Sequence, residues 1–218
     1  SALEAVAATV LFPEIVKAAT QWKPENTTLP PAEPPYPAER FTFVGTYEDV
    51  NKLFWEKQWS MGLPVVPPTV AAVEAMLEGT SHRPDEVLWE VPPRGGVLTV
   101  ELVAVHAVMA GCKPEHMPLL LAIIEGLKSD KMSWRSATTT THPNGVLVIV
   151  NGPIVKELGI GYDTGAAGGW YHPNASIGYA INLIGDIVGG SKPPDSDKST
   201  LGWVGNLIAT VIGENEDA

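Results

Sequence analysis

A single thiol carries the most reactive chemistry this sequence offers. Cys112 is the one cysteine in 218 residues, so it has no internal disulfide partner and points to a reducing compartment. It lies between Gly111, suited to the left-handed position that closes a helix, and Pro114, suited to the first turn of the next. A thiol just ahead of a helix N-terminus faces unsatisfied N–H groups and the positive end of the dipole, and both favour thiolate. Lys113 adds a positive charge, whereas Pro118 can delay the helix and leave Cys112 on a loop with no dipole beside it. A free cysteine is otherwise a small buried hydrophobe. Glu115 and His116 follow closely enough to orient or deprotonate the thiol, and His106 precedes it. The expected catalytic set is therefore Cys112, His106, His116 and Glu115, with the thiol as nucleophile or ligand and an imidazole as proton carrier.

His106 has a second reading. Together with Glu101 it interrupts an apolar helix, and at 3.6 residues per turn the two stand roughly 140° apart, on different faces. A lone histidine there equally fits a satisfied core residue. Cys112 and His116 have a spacing that a metal could use, but they supply two ligands where zinc wants three or four. His82, His142 and His172 complete such a set only through the fold, so no metal site is assigned and the cofactor is left open.

The expected substrate-binding residues fall in two places. The Thr138–Thr141 run and His142 precede a short apolar segment, 146–150, and Asn151 follows it. Ligand groups of α/β proteins gather at the ends of buried strands, which marks Thr141, His142 and Asn151; Asn151 also suits a helix cap. The second place is the glycine-rich stretch 161–169, which leads through Trp170, Tyr171 and His172 to Asn174 and a clear apolar helix. A loop feeding a capped helix N-terminus suits an anion such as a carboxylate, which marks Gly169, His172 and Asn174. No Walker loop follows, and no Gly-x-Gly-x-x-Gly sits directly after a strand, so nucleotide binding is not expected. Gly-x-Ser-x-Gly and His-Glu-x-x-His are absent too.

These groups need elements to hold them. Thr46 and Thr69 are natural N-caps for helices reaching about Trp59 and Leu77. Residues 99–110 are apolar on nearly every side, which predicts a helix buried all round, and a second apolar helix runs to about Leu127. The unbroken run 146–150 predicts a strand buried on both faces. Ile177, Ala180, Ile181, Ile184, Ile187 and Val188 form one stripe, stopped by Gly189 and Gly190. Residues 201–212 suit a last strand, weakened by Gly202 and Gly205. The expected fold class is α/β or α+β, with helices packed around a small, partly buried sheet. Residues 1–40 read as an N-terminal helix, broken by Pro13, followed by a Pro-rich arm, and 41–218 as a single domain. An apolar helix on a stiff arm packs on another subunit or wraps its own domain.

Composition narrows the partners. A net charge of −11 with scattered Lys and Arg excludes general nucleic-acid binding and disfavours an anionic membrane surface. No stretch reaches the ~20 apolar residues of a membrane span. The apolar first segment carries Glu4, Glu14 and Lys17 without a basic start, so it does not read as a signal peptide. A cytoplasmic protein is expected, with a small-molecule substrate and homo- or hetero-oligomers formed through the arm.

Several segments together resemble the bacterial UGSC-type (seleno)protein family. They are Gly62-Leu63-Pro64-Val65-Val66-Pro67-Pro68-Thr69, Ala107-Val108-Met109-Ala110-Gly111-Cys112-Lys113-Pro114-Glu115, Val150-Asn151-Gly152-Pro153-Ile154, Asn174-Ala175-Ser176-Ile177-Gly178 and Glu214-Asn215-Glu216. The similarity runs from about Phe41 to Glu216, and it implies a functional thiol at Cys112. This chain departs from the pattern in lacking the family's name motif, so no two-centre redox couple is expected. It also has Tyr179 where the resemblance implies Arg, and Trp203 and Asn206 where it implies His and Lys. Lost cations imply a changed ligand, or a subunit that has handed catalysis to a partner. The expected function is an enzyme, or one subunit of an enzyme, of hydrolase or lyase type acting on a small polar or carboxylate-bearing metabolite. A non-catalytic partner subunit and a metal-dependent enzyme using Cys112 with histidines are the alternatives.

Overall fold

The computed structural model describes residues 36–194, 196, 201–202 and 204–216, together with Pro13 and Lys17. The helix expected near the N-terminus and most of the Pro-rich arm lie outside them. The chain divides into two units, Ser1–Glu33 and Pro34–Ala218, and the elements that position the site belong to the second.

Helix α1 (Tyr47–Glu56) opens on a capping box, in which the Thr46 hydroxyl accepts from the Asp49 N–H and the Asp49 carboxylate accepts from the Thr46 N–H. The Thr69 hydroxyl caps α2 (Val70–Leu77) by accepting from the Ala72 N–H. Sequence reading missed the next element, a hairpin of β1 (Val87–Val91) and antiparallel β2 (Gly96–Thr99). Its turn uses Gly95 at φ +75°, a conformation glycine adopts without steric cost. β2 runs straight into α3 (Val100–Met109), for which Thr99 is both last strand residue and N-cap. Gly111, at φ +76°, ends that helix in the expected left-handed geometry.

Next come α4 (Met117–Leu127), α5 (Trp134–Thr138), β3 (Leu147–Val150), α6 (Ile154–Leu158) and α7 (His172–Leu183). α7 continues into a π-helical turn, Ile184–Val188, and the described chain closes with β4 (Thr210–Gly213). β3 and β4 pair in parallel, Leu147 opposite Thr210 and Val150 opposite Gly213. The fold is mixed α/β, with seven α-helices and two small two-stranded sheets among the described residues. No described helix is long and apolar enough to cross a membrane.

The core lies where α3 crosses α7. Val100, Val103, Ala104 and Ala107 from α3 are fully buried, as are Ile177, Ala180 and Ile181 from α7, and Leu120 and Ile124 of α4 join them. Glu101, a charged residue in this buried helix, accepts from the Ala38 N–H at 2.7 Å and from the Arg40 guanidinium at 3.3 Å. A buried carboxylate needs such partners, and here it fastens the start of the second unit to the core.

One expectation is corrected. β3 is not buried on both faces: Leu147 is 58 % and Ile149 60 % exposed, whereas Val150 is buried. The strand has one partner, β4, and α7 packs against β4. The other face of β3 is left uncovered among the described residues, so an all-apolar sequence produced an alternating burial pattern.

Candidate functional site

α7 places two groups of polar side chains at its opposite ends, and they differ in what they can do. At its N-terminal end, Asn174 is 3 % exposed and fully engaged. Its amide oxygen accepts from the Gly161 N–H at 2.9 Å, and its amide nitrogen donates to the carbonyls of Gly161 and Ala166 at 3.0 and 3.2 Å. The expected substrate contact is thus a clamp that ties the glycine-rich loop to α7. Within that loop Gly169 takes φ +74°. His172 is exposed at the start of α7, and its ring centroid lies 6.0 Å from that of buried His116. The Ser176 hydroxyl donates to the His172 carbonyl at 2.8 Å and also hydrogen-bonds the Cys112 thiol.

Cys112 itself contradicts its expected activation. It is followed by a 3-10 turn, Pro114–His116, that runs directly into α4 at Met117. The side chain is 9 % exposed within the hydrophobic core. Burial pushes its pKa up from 9.0 to about 12, against a smaller lowering by the Ser176 hydrogen bond. The thiol is neutral at physiological pH, the reverse of a prepared nucleophile.

The expected proton carriers are equally tied down. His106 is 3 % exposed and donates from Nδ1 to the Leu102 carbonyl at 2.7 Å, and burial lowers its pKa. It is the satisfied core histidine that the apolar helix allowed. His116 accepts the Lys113 N–H at 3.3 Å, and its pKa is lowered chiefly by burial. Glu115 points outward and pairs with Lys113 at 3.6 Å. Among the described residues no three His, Cys, Asp or Glu side chains converge as metal ligands.

The other end of α7 holds a cavity of about 180 Å³. Asn182 from α7 and Gly185 and Asp186 from the π turn form one wall. Trp134 and Thr138 of α5 form another, and Asn144, Gly205 and Asn206 close it from two loops. Asp186 is 6 % exposed and Asn182 is likewise buried. The lining is fixed in place: Trp134 Nε1 donates to the Pro92 carbonyl, the Thr138 hydroxyl to the Trp134 carbonyl, Asn182 to the Gly205 carbonyl and Asn206 to the Asn144 carbonyl. Gly185 meets the Trp134 ring so closely that an added Cβ would stand 2.9 Å from Cζ2. A π turn forms where an α-helix accommodates an extra residue, and such turns recur at functional sites. Here it swings Asp186 into the lining. About ten residues of α7, some 15 Å of helical rise, separate this carboxylate from Ser176.

Of the expected substrate contacts, Thr141 and His142 are exposed in the turn just before Asn144, with the His142 N–H bonded to the Thr140 hydroxyl at 3.2 Å. They flank the cavity in sequence without lining it. Asn151 is exposed past the end of β3, and the cap of α6 is Pro153. Sequence reading marked the strand 146–150 and the N-terminal end of α7 and passed over Asn144, Asn182 and Asp186. The available signal was an acid inside an apolar stripe, Asp186 between Ile184 and Ile187. Tyr179, where the resemblance implies Arg, is buried and bonds the Leu63 carbonyl at 3.3 Å, away from the cavity. Asn206, where it implies Lys, is a cavity residue; Trp203 lies outside the described residues. No family model, curated protein or solved structure matches the chain.

Proposed function

We propose that this chain is an enzyme, or one subunit of an enzyme, of hydrolase or lyase type, and that it takes a small polar metabolite into the cavity at Asp186. The observation that carries the reading is a buried carboxylate in a π turn, lining a cavity of about 180 Å³ to which Thr138, Asn182 and Asn206 add polar groups among apolar ones. A cavity of that size suits a small metabolite rather than a polymer. Asp186 would accept a proton or hydrogen bond from the substrate, and Asn182 and Asn206 would orient it. Cys112 becomes a structural residue in this reading. The lone thiol is in keeping with a cytoplasmic setting.

A panel of two- to six-carbon amines, amides, polyols and carboxylates, screened by thermal shift, tests this. A binder present at ten times its Kd is expected to raise Tm by about 3 °C or more. That gain should vanish in Asp186→Ala and persist in Cys112→Ser. Loss of every gain in Cys112→Ser, with retention in Asp186→Ala, would return the function to the thiol.

The uncovered face of β3 favours a second role beside this one. Parallel sheets are ordinarily covered on both faces, yet Leu147 and Ile149 stand more than half exposed. A partner subunit seated there is the reading that face supports, and native mass spectrometry of the purified chain would reveal it as a higher mass.

A further inference from the structure

The entry to α1 is apolar in sequence and yet lies in solvent. Residues 39–49 are exposed without a break. Among the described residues, no backbone group from Glu39 to Gly45 joins a backbone hydrogen bond. The segment is held only near its start, where Ala38 and Arg40 bond Glu101. It carries Phe41, Phe43, Val44 and Tyr47, α1 adds Trp55, and Trp59 follows, all of them exposed. These side chains form one surface. The rings of Phe41 and Phe54 each lie 5.6 Å from that of Trp59. Tyr47 stands about two turns before Phe54 on the same side of α1. The Phe43 ring lies over Gly45, where an added Cβ would stand 2.8 Å from Cε1. Trp55 follows Phe54 and lines a groove between α1 and Gly62–Pro64.

The size of this face matches an interface between proteins. A fully covered Phe, Tyr or Trp removes about 150–250 Å² from water. The five exposed rings are half bare on average, so they leave roughly 500 Å² of apolar surface in solvent. That is near the upper end of what a monomer leaves open. It also equals the apolar share, a little over half, of the ~800 Å² that each partner gives to a standard interface. The charges on the face suit a second copy. At a net charge of −11 two copies repel each other, so their contact needs a surface whose charges offset one another. Lys52 and Glu56 provide this, because they are exposed, opposite in sign and one turn apart on α1, with 3.9 Å between them. A twofold axis passing between them turns Lys52 of each copy toward Glu56 of the other, so the face complements itself.

We infer that two copies of this chain associate through the aromatic face of α1 and the segment leading into it, with the two α1 helices antiparallel about Lys52 and Glu56. Trp55, beside that pair, is the anchor of the contact. The inference is independent of the cavity reading above and of the uncovered face of β3.

Sedimentation equilibrium of the full chain is expected to give twice the monomer mass at about 100 μM, above the micromolar-to-picomolar range of interfaces of this size. Trp55→Ala, at an exposed position, should leave Tm unchanged and weaken the dimer at least about thirtyfold. Lys52→Glu and Glu56→Lys should each weaken it when alone, because like charges then face each other across the axis. Mixed in equal amounts, those two variants should recover the dimer, a result that pairing within one chain does not produce. Ile149→Glu should leave the dimer intact. A monomer at that concentration, or a chain that assembles only with a different protein, would overturn the inference. So would a dimer that survives Trp55→Ala and both charge variants but is lost in Ile149→Glu, which would move the contact to β3.

Discussion

Iodoacetamide is expected to alkylate Cys112 in the folded protein at least about a thousandfold more slowly at pH 7 than in the urea-unfolded chain. The reagent attacks thiolate, so its rate follows the ionised fraction. At pH 7 a thiol of pKa 9.0 is ionised to roughly one part in 10², and one of pKa about 12 to roughly one part in 10⁵. The 9 % exposure of the side chain adds a steric barrier to that electrostatic one. The same displacement makes stability depend on pH. A thiol whose pKa is raised on folding contributes stability that is fully present below about pH 9 and is lost as pH climbs toward 12. Mass-spectrometric alkylation kinetics between pH 6 and 10, with and without urea, measure the contrast. Equal rates in the two states would restore Cys112 as an accessible, reactive centre.

Gly178→Ala should lower stability by about 3 kcal/mol or more, which for a chain of this size is a fall in Tm of about 6–12 °C. A Cβ on Gly178 would stand 2.0 Å from the Ala209 carbonyl oxygen and 3.0 Å from Ile208 Cγ2. The nearest obstacle is backbone, which no rotamer change can move aside. The Ala209 N–H donates to the Gly178 carbonyl at 3.1 Å, so helix and chain are already held in direct backbone contact there. Relief requires displacing the segment that leads into β4, and Gly205 and Asn206 of the cavity lie just upstream on it. Gly126→Ala is the control. Gly126 sits in α4 with nothing within 4 Å of an added Cβ, so the same change there should stabilise by about 0.5–1 kcal/mol through the lost flexibility of glycine. Calorimetry on both variants checks the opposite signs. An unaltered Tm for Gly178→Ala would show that α7 does not lie against that segment.

Local rules made the helices legible. Thr46 and Thr69 each cap a helix because a short hydroxyl side chain followed by a periodic apolar run has few other uses, and Gly111 ends α3 for the reason its type suggests. Burial was harder, because it depends on partners rather than on composition. Leu147 and Ile149 belong to a run as apolar as any in the core, yet the sheet stops at β3 and leaves them in solvent. The β1–β2 hairpin escaped notice because a register shift between Val87 and Trp89 interrupts its alternation. At Cys112 the sequence correctly set Gly111 and Pro114 on either side of the thiol, but α4 begins only at Met117. A 3-10 turn fills the gap, and burial of the thiol in the core outweighs whatever the helix start offers it. The cavity was the least legible feature. Asn144, Asp186 and Asn206 are distant in sequence and meet only once β3 and β4 are paired, whereas His106 and His116 look functional in sequence and are taken up by the core.

Crystals soaked with a library of small polar fragments test the central claim most directly, since the fragments themselves choose the site. Fragments are expected to collect between Trp134, Thr138, Asn182 and Asp186 while the surroundings of Cys112 stay empty. Fragments gathered instead against Cys112, His116 and His172, with nothing beside Asp186, would contradict it.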